Sequence, residues 1–217
     1  MRSFLLISVC FLMAACSDNA DTYTQENDTV SVEIEDLPPT LLDQSFTQLF
    51  WYFKEQDSSF DASLFDEGTA AVLREAYQAD LDTAMLRQYK PYLLFNADSS
   101  YALDLVSYNF LPEKKKGKTV MEEQGPDFEA AIIDLKQNLR TRLLFFGSSG
   151  GAVLDAKWEN NHSVMIAGAI DWQNADSLRP VAWRYNVLDK SLQQFHYPKM
   201  INADWSKYPR QLFELNR

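Results

Sequence analysis

Cysteine, histidine and glycine are all scarce in this chain, and each scarcity closes off a class of chemistry. Two cysteines, Cys10 and Cys16, and two histidines, His162 and His196, stand among 217 residues. Neither histidine has a partner at a ligand spacing such as H-x-x-x-H, so no metal site is expected and no metal cofactor is implied. His162 lies in a polar turn and His196 between Phe195 and Tyr197; both are expected at the surface without a role. Seven glycines leave little room for a phosphate loop, and no phosphate-binding glycine pattern occurs. Positive charge is short as well: 20 basic residues against 31 acidic give a net charge of −11. That balance argues against nucleic acid as a partner and against electrostatic attraction to anionic lipid.

What is present begins with an address. Arg2 supplies a short positive start, and the apolar stretch Phe4–Met13 follows, too short to cross about 30 Å of hydrocarbon as a helix. Ala14 and Ala15 then stand immediately before Cys16. This arrangement resembles the bacterial lipobox, departing from it at Met13, where Leu, Val or Ile is usual. The resemblance implies that residues 1–15 are a lipoprotein signal peptide and that Cys16 is acylated as the first residue of the mature chain. Cys10 would leave with the signal, so the mature protein could form no internal disulfide, and lipidation would account for the one remaining thiol. The partner so implied is a membrane, reached through several acyl chains at roughly 0.8 kcal/mol per buried CH2.

Residues 16–40 form an acidic stretch, with Asp18, Asp21, Glu26, Asp28, Glu33, Glu35 and Asp36 and no Lys or Arg. It is expected to be a disordered, self-repelling tether spanning on the order of 25–30 Å as a coil. Acidic residues just after the lipidated cysteine also resemble the surface-export signals of Bacteroidota lipoproteins. A plain solvated spacer explains them equally well, which leaves both faces of the outer membrane open.

Leu41 to Arg217 is long enough for a single globular domain with a sizeable core. Setting aside Arg2 and the seven tether acids leaves 19 basic against 24 acidic residues, a net −5 for the body. Thr40 with Asp43 three places on reads as a helix start. Leu42, Phe46, Leu49, Phe50 and Phe53 then make one apolar stripe. A second helix is expected over Thr69–Gln78 and a third over Asp82–Gln88, ended by Pro91. Residues 41–90 are therefore expected to be mainly helical.

Beyond residue 90 the hydrophobic period falls from 3.6 to 2. Strands are expected at Tyr101–Leu105, Glu129–Leu135, Arg142–Phe146, Val153–Trp158, Ser163–Ile170, Val181–Val187 and Gln193–Tyr197, joined by short polar turns as an antiparallel meander. The charged interruption at residues 113–127 is expected to be a mobile hairpin loop, its sharper reading a basic docking tip. A loose repeat runs through this half: Leu94–Tyr101 and Lys157–Val164 share the layout aromatic, polar turn, apolar strand. Each is followed by a two-stranded unit. This pattern resembles blades of a β-propeller. Two blades cannot close a ring, so the expected class is α+β, with N-terminal helices over an open or sandwich-like antiparallel meander. A true propeller would need several copies of the chain.

Gly147-Ser148-Ser149-Gly150-Gly151 fits the nucleophile-elbow pattern G-x-S-x-G, with Asp171 and His196 as conceivable partners for Ser149. The pattern needs a strand turning into a helix on a parallel sheet, whereas its surroundings read as antiparallel strands and a Gly-rich turn. Asn96, Asp98 and Ser100 imitate a calcium loop but lack its later glycine and glutamate. The tryptophans are the remaining candidates for ligand contact: Trp158, Trp172, Trp183 and Trp205. Of these, Trp172 in the expected turn Ile170–Asn174 is the best placed for exposure, and Trp158 and Trp183 fit a core. The expected function is a non-enzymatic cell-envelope lipoprotein that binds or scaffolds an envelope protein. The alternative is a glycan or small-ligand module using Trp172, Trp158 or Trp183, and a serine hydrolase at Ser149 stands third.

Overall fold

Leu42, Phe46, Leu49, Phe50 and Phe53 are all buried, so the apolar stripe holds, but two helices share it. The computed structural model describes residues 39–73, 78–115, 117–147, 150–174, 177–204 and 207–208. The signal segment, Cys16 and the tether up to residue 38 lie outside the described residues, as do Ser149 and Trp205. Helix α1 covers Pro39–Ser45 and α2 covers Thr47–Gln56. Phe46 breaks the helix between them, with φ −126° and ψ 36°. Thr47 Oγ1 caps the break by donating to the Asp43 carbonyl at 2.9 Å. Pro39, within the stretch expected as tether, opens α1, where a missing N–H costs nothing.

The helix expected over Thr69–Gln78 is strand at both of its described ends, and residues 74–77 lie outside the described residues. Asp66–Val72 is strand β1 and Gln78–Asp80 is strand β2. Ala70 and Ala71 favour a helix on their own, but the open edge of another strand supplies backbone partners that outweigh so small a preference. The third helix stands as α3, Thr83–Tyr89, because Asp82 Oδ1 accepts from the amides of Ala84 and Met85. A short turn through Pro91 ends it.

The remaining strands are β3 Leu94–Phe95, β4 Tyr101–Asp104, β5 Phe110–Lys115, β6 Lys118–Glu123, β7 Phe128–Asp134, β8 Leu139–Phe146, β9 Gly151–Trp158, β10 Ser163–Asn174, β11 Ser177–Asn186 and β12 Ser191–His196. One sheet runs β1-β12-β11-β10-β9 and the other β2-β8-β7-β4-β3. All their pairings are antiparallel. The chain is thus α+β, mostly antiparallel sheet with a few helices. The stretch expected as a loop at residues 113–127 is largely the regular β5–β6 hairpin, since alternating Leu111, Glu113 and Lys115 pair with Glu122, Val120 and Lys118. Ile170–Asn174, expected as a turn, extends β10 instead.

The two sheets have the same order: four sequential strands, closed at the far edge by a strand from the N-terminal side. The repeat in the sequence marks this equivalence, because Leu94–Tyr101 is β3–turn–β4 and Lys157–Val164 is β9–turn–β10. The β5–β6 hairpin is an insertion into the β4–β7 connection. No propeller is formed. Instead the sheets face each other across a shared core of Leu103, Ile132 and Leu144 on one side and Val153, Ile166 and Trp183 on the other. The outer face of the first sheet packs Leu154, Met165 and Phe195 under α1 and α2. The outer face of the second packs Ala102 and Ile133 against α3 and Phe110 of the hairpin. Strand β10 is covered on both faces, which is why Val164–Ile170 is apolar throughout rather than alternating.

Candidate functional site

The outer face of the second sheet carries a charged cluster that no local sequence pattern announces. Leu103 points into the inter-sheet core, so alternation sends Asp104 to the opposite face. Ala131 pairs with both Asp104 and Arg142, and Ile133 pairs with Arg140, so these residues share that face. Glu129, two places before Ala131, joins them. A bulge then decides what lies beside the cluster. Ala131 pairs with Arg142 but Ala130 with Leu144, leaving Leu143 over. Leu143 and Leu144 therefore both enter the inner core, and Phe145, three residues after Arg142, emerges on the same outer face.

The ion pairs form a chain. Asp104 Oδ2 accepts from Arg140 Nε at 3.1 Å and Nη2 at 2.9 Å. Arg140 Nη1 donates to Glu129 Oε1, and Arg142 Nε donates to Glu129 Oε2 at 2.5 Å. The carboxylate side chains are almost fully buried, at 0% and 1% exposure. Burial alone would pull the Arg140 guanidinium down, but Asp104 and Glu129 outweigh it and hold its pKa above the ordinary value. Two carboxylates and two guanidiniums cancel, so the cluster contributes position rather than net charge.

It positions two aromatic rings. Asp104 Oδ1 accepts from the amides of Val106 and Ser107, and Oδ2 from Ser107 Oγ, which folds the turn that presents Tyr108. Along the other arm, the Arg142 guanidinium held by Glu129 sits 5.0 Å from the centre of the Phe145 ring. Tyr108 and Phe145 meet edge to face at 5.7 Å and 89°. Both are exposed, at 46% and 44%. Buried charges thus hold an aromatic pair out in solvent.

The residues singled out in the sequence lie elsewhere. Trp183 is buried in the inter-sheet core with its ring 5.6 Å from Phe146. Trp158 is half-buried, and its Nε1 donates to the Leu94 carbonyl at 2.8 Å. Trp172 stands on β10, and its side chain is outside the described residues, as is that of Asp171. The segment holding Ser149 is flanked by strands β8 and β9, not by the strand and helix of an elbow. His162 is exposed in its turn, while His196 is half-buried on β12 with its ring over Gly68. Asn96 and Asp98 accept from Tyr101 and Ser100 within their own turn.

One exposed tryptophan stands outside those sequence candidates. Trp51 is 65% exposed at an open groove lined by Asp43, Phe50, Lys54, Phe60 and Asp61. The signal was available: at 100° per residue Trp51 lies roughly 150° from the centre of the buried stripe of α2. Among the described residues no group of His, Cys, Asp and Glu could hold a metal ion, and no helix is long and apolar enough to cross a membrane. Compared with known proteins, the chain matches no family model, no curated protein and no solved structure at a significant level.

Proposed function

We propose that this is a non-enzymatic lipoprotein of the cell envelope, anchored to the outer membrane through Cys16, that holds another envelope protein on the outer face of its second sheet. The observation behind the binding role is the Tyr108–Phe145 pair, exposed yet fixed from below by the Asp104–Arg140–Glu129–Arg142 chain. Tyr, Trp and Arg dominate the energetics of protein interfaces. Rings already held in one arrangement lose little further freedom on binding. Because the ion pairs are internally balanced, the surface suits an apolar, weakly charged patch on the partner. The shared strand order of the two sheets supports reading the body as two blade-like units in a sandwich-like pair. The role calls for no cofactor, metal or nucleic acid.

A photo-crosslinking residue in place of Tyr108 tests the reading in cells. The expected result is one discrete crosslinked protein, lost when Phe145→Ala is added and absent when the crosslinker replaces Leu188, an exposed residue on another turn. Crosslinks of equal pattern at both positions, or none, overturn the binding role. Metabolic fatty-acid label reaching the native protein but not Cys16→Ser is expected for the anchor; its absence from the native protein overturns that part.

A further inference from the structure

We propose that the groove beneath Trp51 is a binding site for a neutral polyhydroxylated ring, the chemistry of a glycan. It lies on α2 and the 60–63 segment and shares no residue with the aromatic pair on the second sheet. Phe50 and Phe60, with ring centres 5.5 Å apart, are buried and form an apolar floor. Trp51 stands beside them with most of its indole in solvent. An exposed indole next to an apolar floor offers a flat, polarisable face to the C–H side of a sugar ring. The groove encloses about 570 Å³, within the usual range for small-ligand sites.

The rim supplies hydrogen-bonding groups of both kinds. Lys54 Nζ donates to the carbonyls of Ser58 at 2.8 Å and Phe60 at 2.7 Å, which fixes the ammonium and leaves the third of its N–H groups for a ligand. Asp61 Oδ1 accepts the amide and hydroxyl of Ser63 at 3.0 and 2.8 Å. Those bonds hold its carboxyl below the ordinary range, so it is an ionised acceptor at neutral pH. Its Oδ2 has no hydrogen-bond donor among the described residues. Asp43 adds a second carboxylate. A sugar hydroxyl both donates and accepts, so adjacent hydroxyls can serve Lys54 and Asp61 while the ring covers Trp51.

The same charges weigh against two other occupants and leave one rival. A polyanion would meet two carboxylates against one ammonium. A cation over the indole would be drawn by those carboxylates and opposed only by Lys54, so it is the competing occupant that the lysine-rich peptide below tests. A purely apolar segment would strip water from Asp43, Lys54 and Asp61 and return nothing to them, which is costly. A neutral ligand rich in hydroxyls has none of these penalties.

The test uses the mature full-length protein and soluble cello-, malto-, laminari-, xylo-, manno- and chito-hexaose. Binding is followed by calorimetry and by the indole N–H resonance of Trp51, assigned with Trp51→Phe. At least one of these sugars is expected to shift that resonance at millimolar or lower concentration. By calorimetry, Trp51→Ala is expected to weaken binding by about tenfold or more, Lys54→Met by several-fold, and Trp51→Tyr to retain most of it. The melting temperature of the Trp51 variants should not change, because the ring is exposed. No response to any of the six sugars overturns the proposal, as does a response that Trp51→Ala leaves intact or a Trp51 shift produced only by a lysine-rich peptide. Tyr108→Ala should leave the sugar titration untouched, which keeps failure here separate from failure of the protein-binding role.

Discussion

Asn96 Nδ2 donates to the backbone carbonyl of Asn161 at 2.8 Å, so the β3–β4 turn of one sheet is bonded to the β9–β10 turn of the other. These are the two turns that the sequence repeat makes equivalent. Asn96 is 2% exposed, and its amide also reaches Ser100 Oγ while its Oδ1 accepts from the Tyr101 amide. Trp158 Nε1, bonded to the Leu94 carbonyl, ties the same ends of the sheets together a few residues away.

Replacing Asn96 therefore loosens the join between sheets as well as one turn. Asn96→Ala leaves the Asn161 carbonyl and the Tyr101 amide without their partner and should cost about 1–3 kcal/mol. Asn96→Asp should cost more at neutral pH, because a carboxylate would face a carbonyl where a donor stood. Urea denaturation of the three proteins checks the order. Equal stability of the alanine and aspartate variants would show that the contact across the sheets carries no weight.

The Glu129 carboxylate binds two guanidiniums from a nearly dry site, and this sets the second prediction. Glu129→Leu leaves Arg140 and Arg142 facing an apolar side chain and should cost about 3–5 kcal/mol, the scale for breaking a buried ion pair from one side. Arg142→Met should cost far less, since that side chain is 33% exposed and Arg140 still serves Glu129. Yet Arg142→Met should weaken partner capture, because Phe145 loses the cation above its ring. Denaturation midpoints and crosslinking yield at Tyr108, measured on both variants, separate the two effects.

How far this was legible in the chain follows from how local each signal is. The α2 stripe, the Asp82 cap and the alternation of Val181–Val187 depend on neighbours a few residues away, and all three could be read. The repeat Leu94–Tyr101 and Lys157–Val164 was also visible, since two blade-like units that cannot close a ring must cover each other's faces. The edge strands β1 and β2 could not be read, since Thr69–Gln78 has helical spacing and only distant strands supply its partners. The cluster on the second sheet was invisible for the same reason. Asp104, Glu129, Arg140 and Arg142 meet through strand register, and Phe145 joins them only because a bulge at Leu143 shifts the alternation. Trp51 was legible too, because it lies on the face of α2 away from the buried stripe, where an indole has no core to fill.

Gly168 allows a second bulge, and substitution there should be severe. Val153 pairs with Gly168 and Asp155 with Ala167, so β9 carries an extra residue, Leu154, against β10. A Cβ on Gly168 would stand 2.1 Å from the Ala152 carbonyl oxygen, and the atoms nearest it are β9 backbone, which cannot yield cheaply. Gly168→Ala should destabilise by about 3 kcal/mol or more. Gly125→Ala is the control, since its Cβ would meet Asn109 Oδ1 at an ordinary 3.6 Å. Thermal melts that fail to separate the two variants would place the bulge elsewhere.

That bulge also turns the Asp155 carboxylate toward the helix-covered face, because Asp155 pairs with Ala167, whose side chain packs there. Burial pushes its pKa above the ordinary 3.8, opposed by the Ala156 amide and by Lys157. A carboxyl whose folded pKa is raised holds its proton more tightly folded than unfolded. Its contribution is therefore favourable at low pH and is lost as pH rises from the ordinary carboxylate range through the folded value. Asp155→Asn should stabilise the protein at pH 7 by on the order of 1 kcal/mol and flatten this part of the pH profile. The Tyr208 phenol supplies an independent readout. Burial, with a smaller push from the Asp155 charge, raises it to about 12, so Asp155→Asn should lower it only slightly in an absorbance titration. A variant that is less stable than the native chain at pH 7 and more stable at pH 4 would reverse the sign and show that the ionised carboxylate is held by its surroundings rather than strained by them.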